Sequence, residues 1–209
     1  MSLRVQFIEA GKKFNREWVF KNLSTEFFSG QRVAILGSNG SGKSTLLQIL
    51  SGFVSINKGE IIYLENEVKL NPENIYKKIA LASPYLELIE DFTLNELLEH
   101  HRIYKPFVSG FDKDIFLSES GLNIAQNKLI KYYSSGMKQR VKLALAIYSD
   151  TPILLLDEPV SNLDEAGIQW FRKIILAQPK NKLIVIASNR VKDEYDFCST
   201  ILNIEDFKK

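Results

Sequence analysis

A glycine-rich loop between an apolar segment and a helical segment constrains this chain more than any other feature. The loop follows the pattern GxxxxGK(S/T) from Gly37 to Ser44. Residues 32–36, Arg-Val-Ala-Ile-Leu, have the composition of a buried strand, and residues 44–50 have the apolar spacing of a helix. A strand, a glycine-rich turn and a helix in this order are typical of a phosphate-binding loop, which predicts an α/β fold and a bound nucleotide.

The residue types of this loop have physical reasons. We expect Gly37, Gly40 and Gly42 to take positive φ, so that the backbone comes close to a polyphosphate and its N–H groups face the oxygens. The following helix adds the positive end of its dipole to the same anion. Lys43 is the predicted partner of the β- and γ-phosphates, and the hydroxyl of Ser44 is a predicted Mg²⁺ ligand. The predicted nucleotide-binding residues of the loop are Gly37, Ser38, Asn39, Gly40, Ser41, Gly42, Lys43, Ser44 and Thr45.

Two carboxylates end a second apolar segment. Residues 153–156, Ile-Leu-Leu-Leu, have the composition of a buried parallel strand and are followed by Asp157 and Glu158. Ligands of open α/β sheets bind at the carboxyl ends of the strands, so we expect both side chains at the nucleotide. Asp157 is predicted to hold the Mg²⁺ shell, and Glu158 to orient or deprotonate the attacking water. Without the phosphate loop, an ordinary strand with a solvated acidic turn would be the better interpretation.

A serine- and glycine-containing segment lies just before this strand. Residues 133–140, Tyr-Ser-Ser-Gly-Met-Lys-Gln-Arg, lead into a helical segment at 141–148. At this point the chain resembles the ATP-binding cassette (ABC) family, whose signature usually reads LSGGQ followed by a Gln-Arg pair. The resemblance covers essentially the whole chain. It includes Phe14, in the place of an aromatic residue that stacks on adenine, and residues 161–164, Ser-Asn-Leu-Asp, which are similar to the loop that crosses the family's dimer interface.

The resemblance implies a fold, an activity and partners. The implied fold is an α/β phosphate-loop NTPase of the ABC ATPase type, with a central, mostly parallel sheet, an antiparallel β subdomain and a short helical subdomain. Residues 1–209 would form a single domain, with the helical subdomain at about 84–134. The implied function is that of the ATP-binding and ATP-hydrolysing subunit of an ABC transporter, with ATP and Mg²⁺ as cofactors. Two subunits, as a homodimer or a heterodimer, would enclose ATP and drive a separate transmembrane permease subunit from the cytoplasmic face of the cell membrane.

The signature segment opens a second helix N-terminus within the chain. Ser134 and the N–H groups near Gly136 favour an anion there. In the family this site caps the γ-phosphate held by the phosphate loop of another subunit, whereas the plainer alternative is a serine pair that only caps a helix. Besides the phosphate loop, the nucleotide-binding residues implied by the resemblance are Phe14, Ser134, Ser135, Gly136, Met137 and Asp164.

Several positions depart from the family pattern. Ser135 and Met137 replace a glycine and a glutamine of the signature, so side chains are added close to the phosphate. Pro84 stands where the family has a glutamine that touches Mg²⁺, and proline neither ligates a metal nor donates a hydrogen bond. Asn189 replaces the switch histidine; its amide donates a hydrogen bond but carries no proton. These last two replacements predict slow hydrolysis. The predicted catalytic residues are Glu158, Lys43 and Asn189.

Two other groups of side chains are notable. His100 and His101 are adjacent in a predicted helix at 95–104 and point in different directions, so we expect solvated helix surface rather than a zinc site. An apolar loop follows the predicted strand at 79–82, and the resemblance places a helix of the permease in a groove beside it. Packing into the core is the alternative for part of this loop. Its apolar residues are Tyr85, Leu86, Leu88, Ile89 and Phe92.

Composition limits the remaining possibilities. The chain has 209 residues, 45% of them hydrophobic, which is enough for one sizeable α/β domain. Its 27 Lys and Arg against 25 Asp and Glu give a net charge of +2, which is no electrostatic footprint for nucleic acid. The single cysteine, Cys198, excludes an internal disulfide and suits a reducing cytoplasm. No apolar stretch approaches the roughly 20 residues that span a bilayer, so we expect no direct membrane insertion.

Three classes of function remain open at the level of sequence. The first is the ATPase subunit of a membrane transporter. The second is a soluble cassette ATPase that acts on DNA or ribosomes, but such proteins usually carry coiled-coil insertions or two cassettes, which are absent here. The third is a soluble ABC-type nucleotide-binding regulatory module with little turnover, which Pro84 and Asn189 favour.

Overall fold

Two β-sheets organise residues 3–208, the part of the chain that the computed structural model describes. The first sheet is antiparallel, with the strand order β2-β1-β4-β5. Its strands are β1 (Leu3–Phe14), β2 (Glu17–Phe28), β4 (Lys58–Glu65) and β5 (Val68–Lys69). The second sheet is parallel, with the order β6-β7-β8-β3-β9. Its strands are β3 (Arg32–Leu36), β6 (Ile79–Ala82), β7 (Ile153–Asp157), β8 (Leu183–Ser188) and β9 (Thr200–Asn203).

The α-helices of residues 3–208 alternate with these parallel strands. They are α1 (Lys43–Leu50), α2 (Leu94–Tyr104), α3 (Lys113–Ser120), α4 (Ser135–Ile147), α5 (Glu165–Leu176) and α6 (Lys192–Tyr195). Short 3-10 helices lie at Pro72–Lys78, Asn123–Ala125, Ile130–Tyr132 and Ile204–Phe207. Helix α2 begins one residue before the predicted range 95–104 and ends where predicted. A capping box starts α2, in which Thr93 and Glu96 exchange hydrogen bonds. Among the described residues, no helix has both the length and the apolar character needed to cross a bilayer.

The central strand β7 is buried along its whole length because both faces of the parallel sheet are covered. Leu154 and Leu156 point into a core formed with α2, α3, α4 and α5. Ile153 and Leu155 point the other way, into a core formed with α1 and the antiparallel sheet. This alternation of faces explains why a strand of this sheet is apolar at every position before its final carboxylate.

The register of the parallel sheet gathers the predicted site at one edge. Leu36 pairs with Ser188, and Asp157 pairs with Ala187. The glycine-rich loop after β3, the carboxylates at the end of β7 and the turn after β8 therefore leave the sheet on the same side. This is the edge at which open α/β sheets bind their ligands.

The expectation that both histidines are solvated helix surface is wrong for His101. Its ring stacks on Phe107 at 5.3 Å between centroids, and its Nε2 lies 2.9 Å from Ser149 Oγ. Burial, assisted by the charges of Lys105 and His100, lowers the pKa of His101 to about 4. The segment after α2 folds back over the helix and covers this ring, a contact that helical spacing alone does not reveal.

Candidate nucleotide-binding site

The phosphate loop combines positive φ with close backbone approach. Gly40 and Gly42 have φ values of 73° and 105°, in the region that favours glycine. The same expectation is wrong for Gly37, which has no positive φ. Glycine is needed there for space, because a Cβ atom would lie 2.4 Å from Ser41 Oγ. The loop therefore folds tightly over its own side chains.

The loop contains two buried polar side chains, Lys43 and Ser41. Lys43 is 4% exposed, and its Nζ donates to the carbonyl oxygens of Gly37 at 2.9 Å and Ser38 at 3.0 Å. Ser41 is fully buried, and its Oγ has no hydrogen-bond partner. A buried hydroxyl without a partner usually has a specific cause, and a phosphate oxygen is an acceptor that Ser41 and Lys43 could both reach in a loop of this type.

Ser38 faces away from this cradle. Its backbone N–H and its hydroxyl both donate to Glu205 Oε1, at 3.1 and 2.6 Å. These hydrogen bonds lower the pKa of Glu205. Gly37 and Ser38 do not line the cavity over the loop, so of the nine predicted loop residues the structure brings residues 39–45 to it.

An open cavity of about 500 Å³ lies over the loop. Phe14 lies at its wall and is 51% exposed, and the Nζ of Lys12 lies 4.8 Å from the ring centroid. Val19 packs so closely on Gly42 that a Cβ there would lie 2.3 Å from Val19 Cγ1. The residues lining the cavity are Phe14, Val19, Asn39, Gly40, Ser41, Gly42, Lys43, Ser44, Thr45, Tyr85 and Glu158.

Asp157 has the environment of a metal ligand. It is 3% exposed, and its Oδ1 has no hydrogen-bond partner. Burial raises the pKa of Asp157, while the neighbouring hydroxyls of Ser44 and Ser83 oppose this shift. A carboxylate oxygen left free beside a serine hydroxyl and a phosphate loop is the oxygen-only donor set that Mg²⁺ prefers. Ser44 and Asp157 therefore fit the predicted metal.

Glu158 is held in an unusual backbone conformation. Its φ is 44°, a value that non-glycine residues rarely adopt, and its N–H donates to the carbonyl oxygen of Ala187 at 2.9 Å. The bond to β8 fixes the turn, and the half-buried side chain lies at the wall of the phosphate-loop cavity. A carboxylate in this position has access to a water molecule at the end of a bound polyphosphate.

A second buried carboxyl lies behind Glu158. Glu194, in α6, is 2% exposed, and its Oε1 accepts a hydrogen bond from the N–H of Val160 at 3.2 Å. Burial raises the pKa of Glu194 to about 7, and the nearby charges of Glu158 and Asp157 act in the same direction. The sequence offered no signal for this residue, because its burial depends on α6 packing against the segment that follows β7.

The signature residues do not line this cavity. Ser134 is the N-cap of α4 and accepts from the N–H of Met137 at 3.2 Å, while Ser134 and Ser135 are exposed. Gly136 packs on the loop after β7, where a Cβ would lie 2.8 Å from the carbonyl oxygen of Asn162. Asp164 caps α5 through the N–H of Gly167 and pairs with Arg140. Within one chain, these residues form a face separate from the phosphate loop.

The two family departures after β6 and β8 lie at the same sheet edge. Asn189 is exposed in the turn after β8 and does not line the cavity. Pro84 is half-buried, and Lys142 Nζ donates to its carbonyl oxygen at 2.7 Å. The following Tyr85 is 78% exposed and lines both the phosphate-loop cavity and a neighbouring cavity of about 520 Å³.

Part of the apolar loop after β6 packs into the core, and part of it is exposed. Leu88 and Phe92 pack against the core, whereas Tyr85, Leu86 and Ile89 are exposed. The larger cavity continues this exposed surface past Phe53 and Tyr76, which are 82% and 58% exposed. A groove with apolar walls therefore lies beside the nucleotide cavity.

Comparison with known proteins gives the same assignment. The family model described as ABC transporter matches residues 20–161. The ABC transporter ATP-binding protein YybJ of Bacillus subtilis (strain 168) is 30% identical over 203 residues, covering 96% of this chain and 92% of that protein. YdbJ of the same organism is 29% identical over 196 residues, covering 93% of this chain but 64% of its own length.

The fold has close counterparts among solved structures. A dimeric ATP-binding cassette, in a post-hydrolysis state bound to ADP and Pi, superposes with a TM-score of 0.78 at 23% identity, covering 96% of this chain and 95% of that one. The predicted fold class, a phosphate-loop NTPase of the ABC ATPase type, is confirmed. This chain belongs to the ABC transporter family and is one of its ATP-binding proteins.

Proposed function

We propose that this chain binds MgATP over the phosphate loop and hydrolyses it as the ATPase subunit of a membrane transporter. One observation carries the proposal. The phosphate loop and Glu158 border one cavity of about 500 Å³, and Ser44 of that loop also lines the neighbouring cavity together with Asp157, whose Oδ1 has no hydrogen-bond partner. A polyphosphate, a divalent cation and an attacking water all require groups of these kinds.

Binding uses the backbone and one side chain. The N–H groups of residues 39–45 and the dipole of α1 attract the phosphates, and Lys43 exchanges its carbonyl contacts for the β- and γ-phosphate oxygens. Phe14 stacks on the adenine. Ser44 and Asp157 would hold Mg²⁺, which would supply positive charge to offset the charge that develops on the phosphates.

Hydrolysis uses Glu158. Its carboxylate accepts a proton from the water, the water oxygen bonds to the γ-phosphorus, and the bond to the β–γ bridging oxygen breaks to leave ADP and phosphate. Asn189 donates an amide hydrogen bond to the γ-phosphate but supplies no positive charge. We propose that turnover is slow for this reason and because Pro84 offers no ligand.

The signature face completes the site of a second subunit. Ser134, Ser135, Gly136 and Met137 lie outside their own chain's cavity, so they are free to cap the γ-phosphate held by a partner, with Asp164 near the interface. Support comes from the exposed helix N-terminus of α4 and from the dimeric form of the structural relative. A homodimer or a heterodimer would satisfy this arrangement.

The permease is the remaining partner. We propose that residues 1–209 act as a single domain at the cytoplasmic face of the membrane, with a helical subdomain at about 84–134. The apolar groove at Tyr85 and Phe53 would receive a segment of the transmembrane subunit. The regulatory alternative, binding with little turnover, is favoured only by Pro84 and Asn189, and a turnover assay with the purified permease complex distinguishes the two.

The test of nucleotide binding is Lys43→Ala. Loss of the ammonium group should weaken MgATP binding at least about tenfold, or roughly 1.4 kcal/mol. Calorimetry measures this, with exposed Lys180→Ala as a charge-matched control that should bind normally. Unchanged affinity of Lys43→Ala would remove the phosphate loop from the proposal.

A further inference from the structure

A buried hydroxyl beside Asp157 has no part in the mechanism above. Ser83 follows β6 directly, and it is 8% exposed. Because Ala82 pairs with Leu156 in the parallel ladder, the next residue along each strand, Ser83 and Asp157, are neighbours at the edge of the sheet. The Oγ of Ser83 lies 3.2 Å from Oδ2 of Asp157.

A second contact determines which way this hydroxyl points. The N–H of Tyr85 donates to Ser83 Oγ at 3.4 Å. An amide N–H only donates, so the serine oxygen accepts there and its proton is directed to the carboxylate of Asp157. The resulting chain of hydrogen bonds runs from the loop after β6 into the predicted metal ligand.

The two carboxylate oxygens of Asp157 differ in their hydrogen bonding. Oδ2 is held by Ser83, whereas Oδ1 is buried without a partner. Holding one oxygen fixes the rotation of the carboxylate and leaves the other directed to a ligand. Groups that orient a metal-binding side chain in this way usually matter nearly as much as the ligand itself.

The loop that carries Ser83 is anchored on its other side. Leu86 donates its N–H to the carbonyl oxygen of Ser83 at 3.2 Å, closing a turn around Pro84. Lys142 Nζ donates to the carbonyl oxygen of Pro84 at 2.7 Å. The fixed φ of proline adds to this restraint. Ser83 is therefore attached to a constrained turn rather than to a mobile loop.

We propose that Ser83 is a positioning residue of the Mg²⁺ site, which holds Asp157 so that its Oδ1 is directed to the cation. The inference rests on the proposed function, because it assumes that MgATP binds at Asp157. Ser83, the residue before Pro84, would thus orient a ligand of the metal site, which the proline side chain cannot do.

The test measures metal binding rather than hydrolysis. Mn²⁺ is titrated into the protein saturated with a non-hydrolysable ATP analogue, and bound Mn²⁺ is followed by electron paramagnetic resonance. Ser83→Ala should weaken Mn²⁺ binding about tenfold. Affinity for the analogue in the presence of EDTA should stay unchanged, because Ser83 does not touch the phosphate loop. Ser83→Thr, which keeps the hydroxyl, should restore wild-type Mn²⁺ affinity.

Two further variants keep the test decisive. Ser120→Ala removes a fully buried hydroxyl in α3, far from the site along the chain, and should leave Mn²⁺ affinity unchanged. If Ser83→Ala does not fold, Ser83→Cys preserves the volume with a weaker donor and should still lose Mn²⁺ affinity. Wild-type Mn²⁺ affinity in Ser83→Ala, or in Ser83→Cys if Ser83→Ala does not fold, would overturn the inference. An equal loss of analogue binding with and without metal would overturn it too. Absence of Mn²⁺ and analogue binding in the wild type would instead overturn the proposed function.

Discussion

At the scale of single residues, Glu194 is a buried carboxyl whose protonation affects folding. Its carboxyl is 2% exposed, faces Glu158 and Asp157, and has an oxygen without a partner. The pKa rises from 4.5 to about 7 on folding, mainly because of burial. A raised carboxyl pKa means that the folded chain keeps a proton that the unfolded chain releases. The contribution of this proton to the free energy of unfolding is therefore fully present below pH 4.5. It is lost as the pH rises through about 7.

Glu194→Gln removes this pH dependence. The amide keeps an acceptor for the N–H of Val160 but has no proton to release, so the variant should gain stability relative to the wild type as the pH rises. The relative gain should reach on the order of 3 kcal/mol at pH 8, compared with pH 4.5. Urea unfolding at several pH values measures it, with exposed Glu17→Gln as the control. A constant difference from pH 4.5 to 8 would contradict the assignment of a buried, protonated Glu194.

At the scale of elements, an aromatic cluster fastens α2 and α3 to α4. Phe107 stacks on both His101 and Phe111, and Phe111 contacts Phe116 of α3 and Tyr148 after α4, all within 6.1 Å between centroids. The ring of His101 is neutral in this cluster, with its pKa lowered from 6.5 to about 4. A lowered histidine pKa gives stability that is present above pH 6.5 and is lost as the pH falls towards 4.

His101→Phe should make the α2 region resistant to acid. Phenylalanine keeps the stack on Phe107 and has no charge to gain, and Ser149 still donates to the carbonyl oxygen of Leu145. We compare hydrogen exchange of the α2 amides at pH 7 and pH 5, after correction for intrinsic rates. Lowering the pH to 5 should accelerate this exchange more in the wild type than in His101→Phe. His100→Phe serves as the neighbouring control and should behave like the wild type. Equal acid sensitivity of all three proteins would exclude His101 as the cause.

At the scale of the whole molecule, the phosphate loop and the signature face, residues 134–137, lie apart within one chain, and this separation underlies the predictions about the oligomeric state. Under the proposed function, a second chain would complete a site divided in this way. Glu158→Gln keeps the shape of the side chain but removes the charge that accepts the proton, so turnover should fall roughly 10²-fold while ATP binding persists. The ATP-bound dimer should then live long enough to be separated from the monomer.

Size-exclusion chromatography of Glu158→Gln with MgATP tests this arrangement. We expect a dimer with MgATP and a monomer with ADP. The double variant Glu158→Gln/Ser135→Arg, altered at an exposed position of the signature face, should stay monomeric while still binding ATP. A monomer of Glu158→Gln at high protein and MgATP concentration would argue against the shared site.

The sequence by itself determined the phosphate loop, two strands of the parallel sheet and the fold class of this protein. The phosphate loop and the strands predicted at 32–36 and 153–156 follow from short-range patterns, because loop chemistry and runs of apolar residues are local properties of the chain; the second strand extends one residue further, to Asp157. The ABC ATPase fold class follows from the family resemblance of these local motifs. The departures at Pro84 and Asn189 were equally visible, since each is one residue in a recognisable local context.

Only the tertiary structure decided the contacts that refine the site. Three hydrogen bonds join residues that are far apart in sequence. They link Ser83 to Asp157, Ser38 to Glu205 and Val160 to Glu194, with sequence separations of 74, 167 and 34 residues. His101 is half-buried because a segment beyond its own helix covers one face of its ring. Burial and partners at such separations depend on how the sheet orders its strands, which no local pattern encodes, and they set the pKa values and hydrogen bonds on which the proposed chemistry depends.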